Sequence, residues 1–394
     1  MFQIGWVDYS REERNKIINI INLLGDQEAL DELGIGVVRD AFSDMLFPGI
    51  STLQTRAKYF VLIPYLFQMA EKSALDNAFD ILSSIRRNEG KLVETLVNNS
   101  PGEDGIIGSR NYKNGKTVKM KPSNIYWNGL RITGILRYPS VSIESVCRQI
   151  AANAIKRSEI SLKTSEKDVE QDDIDAIRFG SAIFTPIVPT YDVLKEATIN
   201  LTYEEAEYLK RQFLTSFATK NSLMAHMLRE CHVYPSIFDV PVNCIQEPLK
   251  TQYILSQEFA EFIYGAHLLY NIILADGCGI EDENISAINA EFEQWFNNYQ
   301  SPQLENIIAI TKCTLITGKF FREFDTAIRT KDIERAKEIV TARERLVKPG
   351  RQKLRRPDYF SYKDPIHWYK LNYRYNTAKT IAEDILTALK EGNK

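Results

Sequence analysis

Apolar residues recur at helical spacing along most of the chain, and this pattern predicts a helical protein. Ser10 with Glu13 predicts a capping box ahead of an apolar stripe, and Thr202 with Glu205 predicts a second one. Further stripes predict helices within 66–99, from Ser123, from Ser142, and at 202–217, 222–229, 249–275, 283–298, 302–312, 319–329, 331–347 and 375–391. We therefore expect a mainly α, multi-helical fold.

One short region in the N-terminal half departs from helical spacing. Residues 104–108 are typical of a short strand, Asn114-Gly115 favours a tight hairpin turn, and Thr117–Met120 would complete the pair. The region therefore predicts a small β-hairpin. It is not a phosphate-binding loop, because six residues rather than four separate Gly108 from Gly115.

An acidic segment suggests a domain boundary. Residues 159–175 hold seven acids and two lysines, which is typical of a solvated linker or of a polar helix face. The expected organisation is an N-terminal helical domain at 1–157 with the hairpin, an acidic linker at 158–185, and a C-terminal helical domain at 186–394.

The stretch from Asp31 to Tyr65 is the most distinctive in the chain. Ile35–Leu46 predicts one helix, ended by Pro48 and Gly49, and Ser51 or Thr52 is expected to cap a second helix. The stretch is best explained as a packing hub, in which two helices meet at a Phe-Pro-Gly turn.

The same stretch supplies three carboxylates, Glu32, Asp40 and Asp44. Asp40 and Asp44 are four residues apart and would share a helix face. Paired carboxylates can hold Mg²⁺ or carry out acid–base chemistry, which makes a Mg²⁺-dependent nuclease one hypothesis. Ion pairs with the neighbouring basic residues are the simpler explanation.

Composition excludes several classes of partner. The 394 residues are 44% hydrophobic and 26% charged, with a net charge of -3, so no global field draws the chain to nucleic acid or membrane. Five scattered cysteines favour reduced thiols, and the start lacks a signal-peptide pattern. We expect a cytoplasmic protein without membrane contact.

No cofactor or metal site is predicted. His226, Cys231, His232 and Cys244 match no zinc spacing. His267 lies in an apolar helix and is expected to be a hydrogen-bonded core residue.

Two local basic surfaces remain as candidates for nucleic-acid binding. Residues 110–121 carry five Lys or Arg and no acid, with Lys113, Lys116 and Lys119 as candidate contacts. The alternative is that these lysines lie at a hairpin tip and protect the edge strands from pairing with other chains.

The second basic surface lies near the C-terminus. Residues 343–374 hold ten Lys or Arg, three acids and several interleaved aromatic residues. This mixture suits a phosphate backbone or unpaired bases, and the candidate contacts are Arg351, Lys353, Arg355 and Arg356. A solvated loop whose aromatic residues anchor the last helix is the alternative.

Four blocks give the chain a family resemblance. They are Trp6–Ser10, Glu32–Phe60 (ELGIGVVRDAFSDMLFPGISTLQTRAKYF), Pro122–Leu130 and Leu371–Leu389. Together they resemble a bacterial family, a domain of unknown function, loosely associated with restriction and phage-defence genes. The resemblance implies a bacterial, nucleic-acid-related setting and assigns no catalytic residue. The chain departs from that family in its extended basic loop at 348–366.

These observations predict a non-enzymatic, nucleic-acid-associated component of a bacterial phage-defence system. It would bind DNA, or a helicase or nuclease partner, through its basic surfaces. The alternatives are the Mg²⁺-dependent nuclease and a protein–protein scaffold.

Overall fold

The fold is mainly α-helical. The computed structural model describes residues 31–73, 75–114, 120–138, 140–164, 183–185, 189–355 and 365–392. These residues form fifteen α-helices and no strand. The helices are α1 (Gly36–Leu46), α2 (Tyr59–Glu71), α3 (Ala78–Asn99), α4 (Ser109–Lys113), α5 (Pro122–Ile132), α6 (Ile143–Thr164), α7 (Val193–Glu196), α8 (Tyr203–Thr215), α9 (Leu223–Glu230), α10 (Leu249–Cys278), α11 (Glu283–Asn297), α12 (Leu304–Thr311), α13 (Leu315–Arg329), α14 (Ile333–Val347) and α15 (Tyr375–Glu391).

The capping signals in the sequence locate several helix starts. At α8 the Thr202 hydroxyl accepts the Glu205 N–H at 3.3 Å, and the Glu205 carboxylate accepts the Thr202 N–H at 2.8 Å. This confirms the predicted capping box. Ser142 precedes α6, as predicted, and Ser222 caps α9. The expected start at Ser123 is wrong, because α5 begins at Pro122 and its N-cap residue is Lys121.

The predicted β-hairpin is not found in the described residues. Residues 104–108 form bends and turns, with Gly105 and Gly108 in the left-handed region at φ +83° and +89°. The polar groups that a ladder would use are taken by side chains instead, since the Tyr59 hydroxyl accepts the Ile107 N–H at 2.9 Å. A short helix, α4, follows. Residues 115–119, which hold much of the proposed turn and second strand, lie outside the described residues.

The central stretch forms two helices, as predicted, but the second begins later. α1 matches the expected first helix. α2 begins at Tyr59 and not at Ser51 or Thr52, and its N-cap residue is Lys58. Phe47, in the turn between the two helices, is fully buried.

The chain divides into two compact units. The first comprises Leu255–Leu371 and the described residues up to Ala41, and the second comprises Phe42–Ile254 and Asn372–Lys394. Residues 158–164 of the predicted linker complete α6, and 165–182 lie outside the described residues. The predicted boundary at 158–185 therefore stays a prediction.

Aromatic side chains fill the core of each unit. In the first unit, the rings of Phe262 on α10 and Phe321 on α13 pack edge to face with centroids 5.7 Å apart. In the second, Phe60 on α2 packs in the same way against Tyr126 and Phe213, at 5.1 and 5.8 Å. Among the described helices, none is long and apolar enough to cross a membrane.

Candidate nucleic-acid interface

Residues 348–355, here called the basic segment, follow α14 in the first unit. Its two lysines turn inward: the Nζ atoms of Lys348 and Lys353 lie 2.8 and 2.9 Å from Oε1 of Glu32. Arg351 and Arg355 are exposed. Both lysines of the segment therefore contact Glu32, while Arg351 and Arg355 are exposed.

Glu32 is the carboxylate on which this segment is fixed. Its side chain is buried, with 4% of the residue exposed, and Nε2 of His367 lies 3.1 Å from its Oε2. Burial alone would raise the pKa of Glu32, because it disfavours the charged form of the carboxylate. The hydrogen bonds from His367, Lys348 and Lys353 outweigh burial and hold the pKa of Glu32 well below its ordinary value. Glu32 is therefore an ionised anchor that two lysines share.

Glu344 on α14 provides a second anchor. Its carboxylate accepts the backbone N–H groups of Lys353 at 2.8 Å and Leu354 at 3.2 Å, and the Tyr270 hydroxyl at 2.7 Å. Three donors thus satisfy a carboxylate that is fully buried. Glu344 therefore holds the backbone of the basic segment, as Glu32 holds its lysine side chains.

A tight turn before α1 places Glu32. The Asp31 carboxylate accepts the N–H groups of Leu33 at 3.1 Å and Ile35 at 2.5 Å. Gly34 has φ +62°, and a Cβ there would lie 2.7 Å from Cγ2 of Val347. Only glycine combines this backbone conformation with so close an approach to α14.

Two histidines lie next to Glu32. The rings of His267 and His367 are 5.0 Å apart between centroids and tilted by 30°. Asn271 holds the backbone next to His367 in place. Its side-chain amide makes two 2.7 Å hydrogen bonds with the backbone of Ile366, the residue before His367.

His267 is buried, as predicted, but the hydrogen bonds expected for it are not found in the described part of the chain. Both of its ring nitrogens lack a hydrogen-bond partner there. Burial, together with the nearby His367, lowers the pKa of His267 to about 3. The imidazole is therefore neutral in the folded protein near pH 7.

The other two candidate carboxylates make separate ion pairs. Asp40 pairs with Arg39 at 3.2 Å, and Asp44 pairs with Arg374 at 2.6 Å. Both carboxylates are more than half exposed. Among the described residues, no group of three or more His, Cys, Asp or Glu could hold a metal ion. The nuclease site stays a prediction, without a metal-binding group in the described part to support it.

The remaining candidate contacts are placed only in part. Lys113 is exposed in the last turn of α4, in the second unit. Lys116, Lys119 and Arg356 lie outside the described residues.

Much of the positive charge counted at 343–374 is already paired or buried. Arg343 is buried with its Nε atom 2.7 Å from the Leu33 carbonyl oxygen, and Lys370 pairs with Glu261 at 2.5 Å. The roles of Glu344 and Lys348 and the pairing of the two histidines were not predicted from the sequence. No local pattern could reveal the contacts of Glu32 with Lys348 and His367, because Glu32 lies more than 300 residues before both.

Comparison with known proteins assigns a family. The sequence model of a family of unknown function, DUF6361, matches residues 1–288 of the 394. The chain belongs to this family. The match to DUF6361 includes Glu32 and His267 and ends before the basic segment. No curated protein and no solved structure matches the chain.

Proposed function

We propose that this chain is a non-enzymatic, nucleic-acid-associated component of a bacterial phage-defence system, and that the basic segment contacts the phosphate backbone. One observation carries the proposal. Glu32 and Glu344 hold the basic segment from within, while Arg351 and Arg355 are exposed to solvent.

Anchoring favours binding because less conformational freedom is lost when a ligand arrives. A guanidinium group can also donate two parallel hydrogen bonds to one phosphate, which an ammonium group cannot. The two exposed arginines are therefore the direct contacts in this proposal. Lys353, whose ammonium pairs with Glu32, acts as an anchor.

The test is a gel-shift titration with duplex and single-stranded DNA at several salt concentrations. Replacing Arg351, Arg355 and Arg356 together with alanine should weaken binding. It should also lower the slope of log affinity against log salt, by about 0.9 for each duplex phosphate that the variant no longer neutralises. The matched control replaces three basic residues elsewhere in the first unit with alanine. These are Lys319, Arg335 and Lys337.

Unchanged affinity in the arginine triple variant, or equal weakening in the control, would refute this assignment. Lys353→Ala distinguishes a residue that anchors the basic segment from a residue that contacts the nucleic acid. It should reduce both affinity and thermal stability, because Lys353 is paired with a buried carboxylate. The changes at the exposed arginines should lower affinity with a smaller effect on stability.

The defence setting is supported by the family resemblance of the sequence blocks. The basic segment could also bind a helicase or nuclease partner in place of DNA. The alternatives are a Mg²⁺-dependent nuclease that uses Glu32, Asp40 and Asp44, and a purely scaffolding role. A partner that co-purifies in high salt, with no DNA binding at low salt, would favour scaffolding.

A further inference from the structure

A pocket of about 590 Å³ opens on the first unit, and its lining includes neither Glu32 nor Glu344. Residues of α10, α11 and the loop after α11 line it, together with Lys370. Its volume lies within the range of small-molecule sites. The lining combines aromatic rings with two carboxylates, Glu261 and Glu291.

The aromatic side of the pocket is held in place by polar contacts. The Trp295 indole N–H donates to the Glu261 carbonyl oxygen at 3.0 Å, and the Tyr299 hydroxyl donates to Asp325 at 2.7 Å. Gly265 lets the indole approach α10 closely, since a Cβ there would lie 2.1 Å from the ring. The rings are therefore fixed before any ligand arrives.

The carboxylates give the pocket a preference for cations. Glu291 accepts hydrogen bonds from the Tyr264 hydroxyl and from the Trp368 indole N–H, the latter at 3.0 Å. The Glu261 side chain is 52% exposed. Among the described residues that line the pocket, two are acids and one, Lys370, is a base, so their formal charge is negative.

The chain itself shows how this pocket receives an ammonium group. Nζ of Lys370 lies 2.5 Å from a Glu261 carboxylate oxygen and 5.7 Å from the centroid of the Tyr264 ring. A carboxylate and a ring face are the two groups that bind alkylammonium ions best. The pair is well exposed to solvent, so a competing cation displaces Lys370 at little cost.

We propose that this pocket binds an aliphatic ammonium group, which replaces Lys370 at Glu261. The ligand is either a free polyamine or the side chain of a lysine. The site does not depend on the nucleic-acid function proposed above.

The experiment is a calorimetric titration of the full chain in the absence of nucleic acid. The ligands are spermidine, Nα-acetyl-lysine amide and uncharged 1,4-butanediol. Glu261→Gln should weaken amine binding by about tenfold, because it removes a charge-assisted hydrogen bond. Lys370→Met should strengthen it by about threefold, because the internal competitor is removed. Glu293→Gln and Lys319→Met are matched controls outside the pocket and should leave the affinity unchanged.

Glu261→Gln should lower the affinity for the amine and Lys370→Met should raise it. These opposite effects distinguish this site from general attraction of cations to an acidic surface. Binding of spermidine alone identifies a polyamine site, binding of the lysine derivative alone identifies a lysine site, and binding of both supports the shared chemistry. Failure of both amines to bind, equal binding of the diol, or a Lys370→Met variant that does not bind more tightly would overturn the proposal.

Discussion

Replacing His267 with phenylalanine should remove part of the acid sensitivity of the first unit. His267 is only 3% exposed, and its ring nitrogens have no hydrogen-bond partner among the residues that the structure describes. Phenylalanine keeps a ring beside His367 but cannot take up a proton. The substitution therefore tests protonation separately from packing.

The size of the effect follows from the two pKa values. Burial lowers the pKa of His267 from an ordinary 6.5 to about 3 in the folded protein. Between these values the unfolded chain binds a proton that the folded chain does not, so stability falls as the pH is lowered. The loss attributable to His267 is about 2 kcal/mol at pH 5 relative to pH above 7.

Two measurements check this value. Urea unfolding of the wild type and of His267→Phe, at pH 7.5 and pH 5, should show a smaller pH dependence in the variant by about 2 kcal/mol. NMR of histidine-labelled protein can follow the imidazoles directly, since the chain has four histidines. The resonance assigned to His267 should not titrate between pH 7 and pH 5.

The control is Leu268→Ala, a neighbouring buried position on α10. It should lower the unfolding free energy by about 2–5 kcal/mol at both pH values without changing their difference. Equal pH dependence in the wild type and His267→Phe would refute the reasoning. A His267 imidazole that titrates near pH 6.5 in the folded protein would do the same.

Two stability predictions concern other parts of the central stretch. Gly34→Ala should destabilise the protein by about 1–3 kcal/mol in urea unfolding, because φ is +62° and Val347 leaves no room for a Cβ. Gly350→Ala, at φ +78° with open space around it, should cost less, and equal losses would contradict the argument. Lys58→Met should cost about 3–5 kcal/mol, because it leaves the buried Glu205 carboxylate without its 2.6 Å partner. Adding Glu205→Gln should recover part of that loss, and a double variant less stable than the single would show that the ion pair is not the cause.

Most of the helices could be predicted from sequence because they carry their own apolar stripes or caps, whereas the short helices α4 and α7 were not predicted. α10 and α15 follow apolar stripes that are visible without any tertiary information, and the Thr202 capping box marks the start of α8. The hairpin prediction failed in the described residues because a strand requires partners. Around Ile107, side chains of the central stretch take the backbone groups that a ladder would have used.

The candidate site could be predicted only as a set of charges. A count of the charged residues at 343–374 does not distinguish Lys353 from Arg351, since each adds one positive charge. The fold distinguishes them: the ammonium of Lys353 lies 2.9 Å from a buried carboxylate contributed from the other end of the chain, and Arg351 is exposed. A charge that is neutralised inside the protein cannot release counterions from a nucleic acid. The strength of such a basic surface is therefore set by how exposed each cation is, and in the basic segment Arg351 and Arg355 are exposed whereas Lys348 is buried.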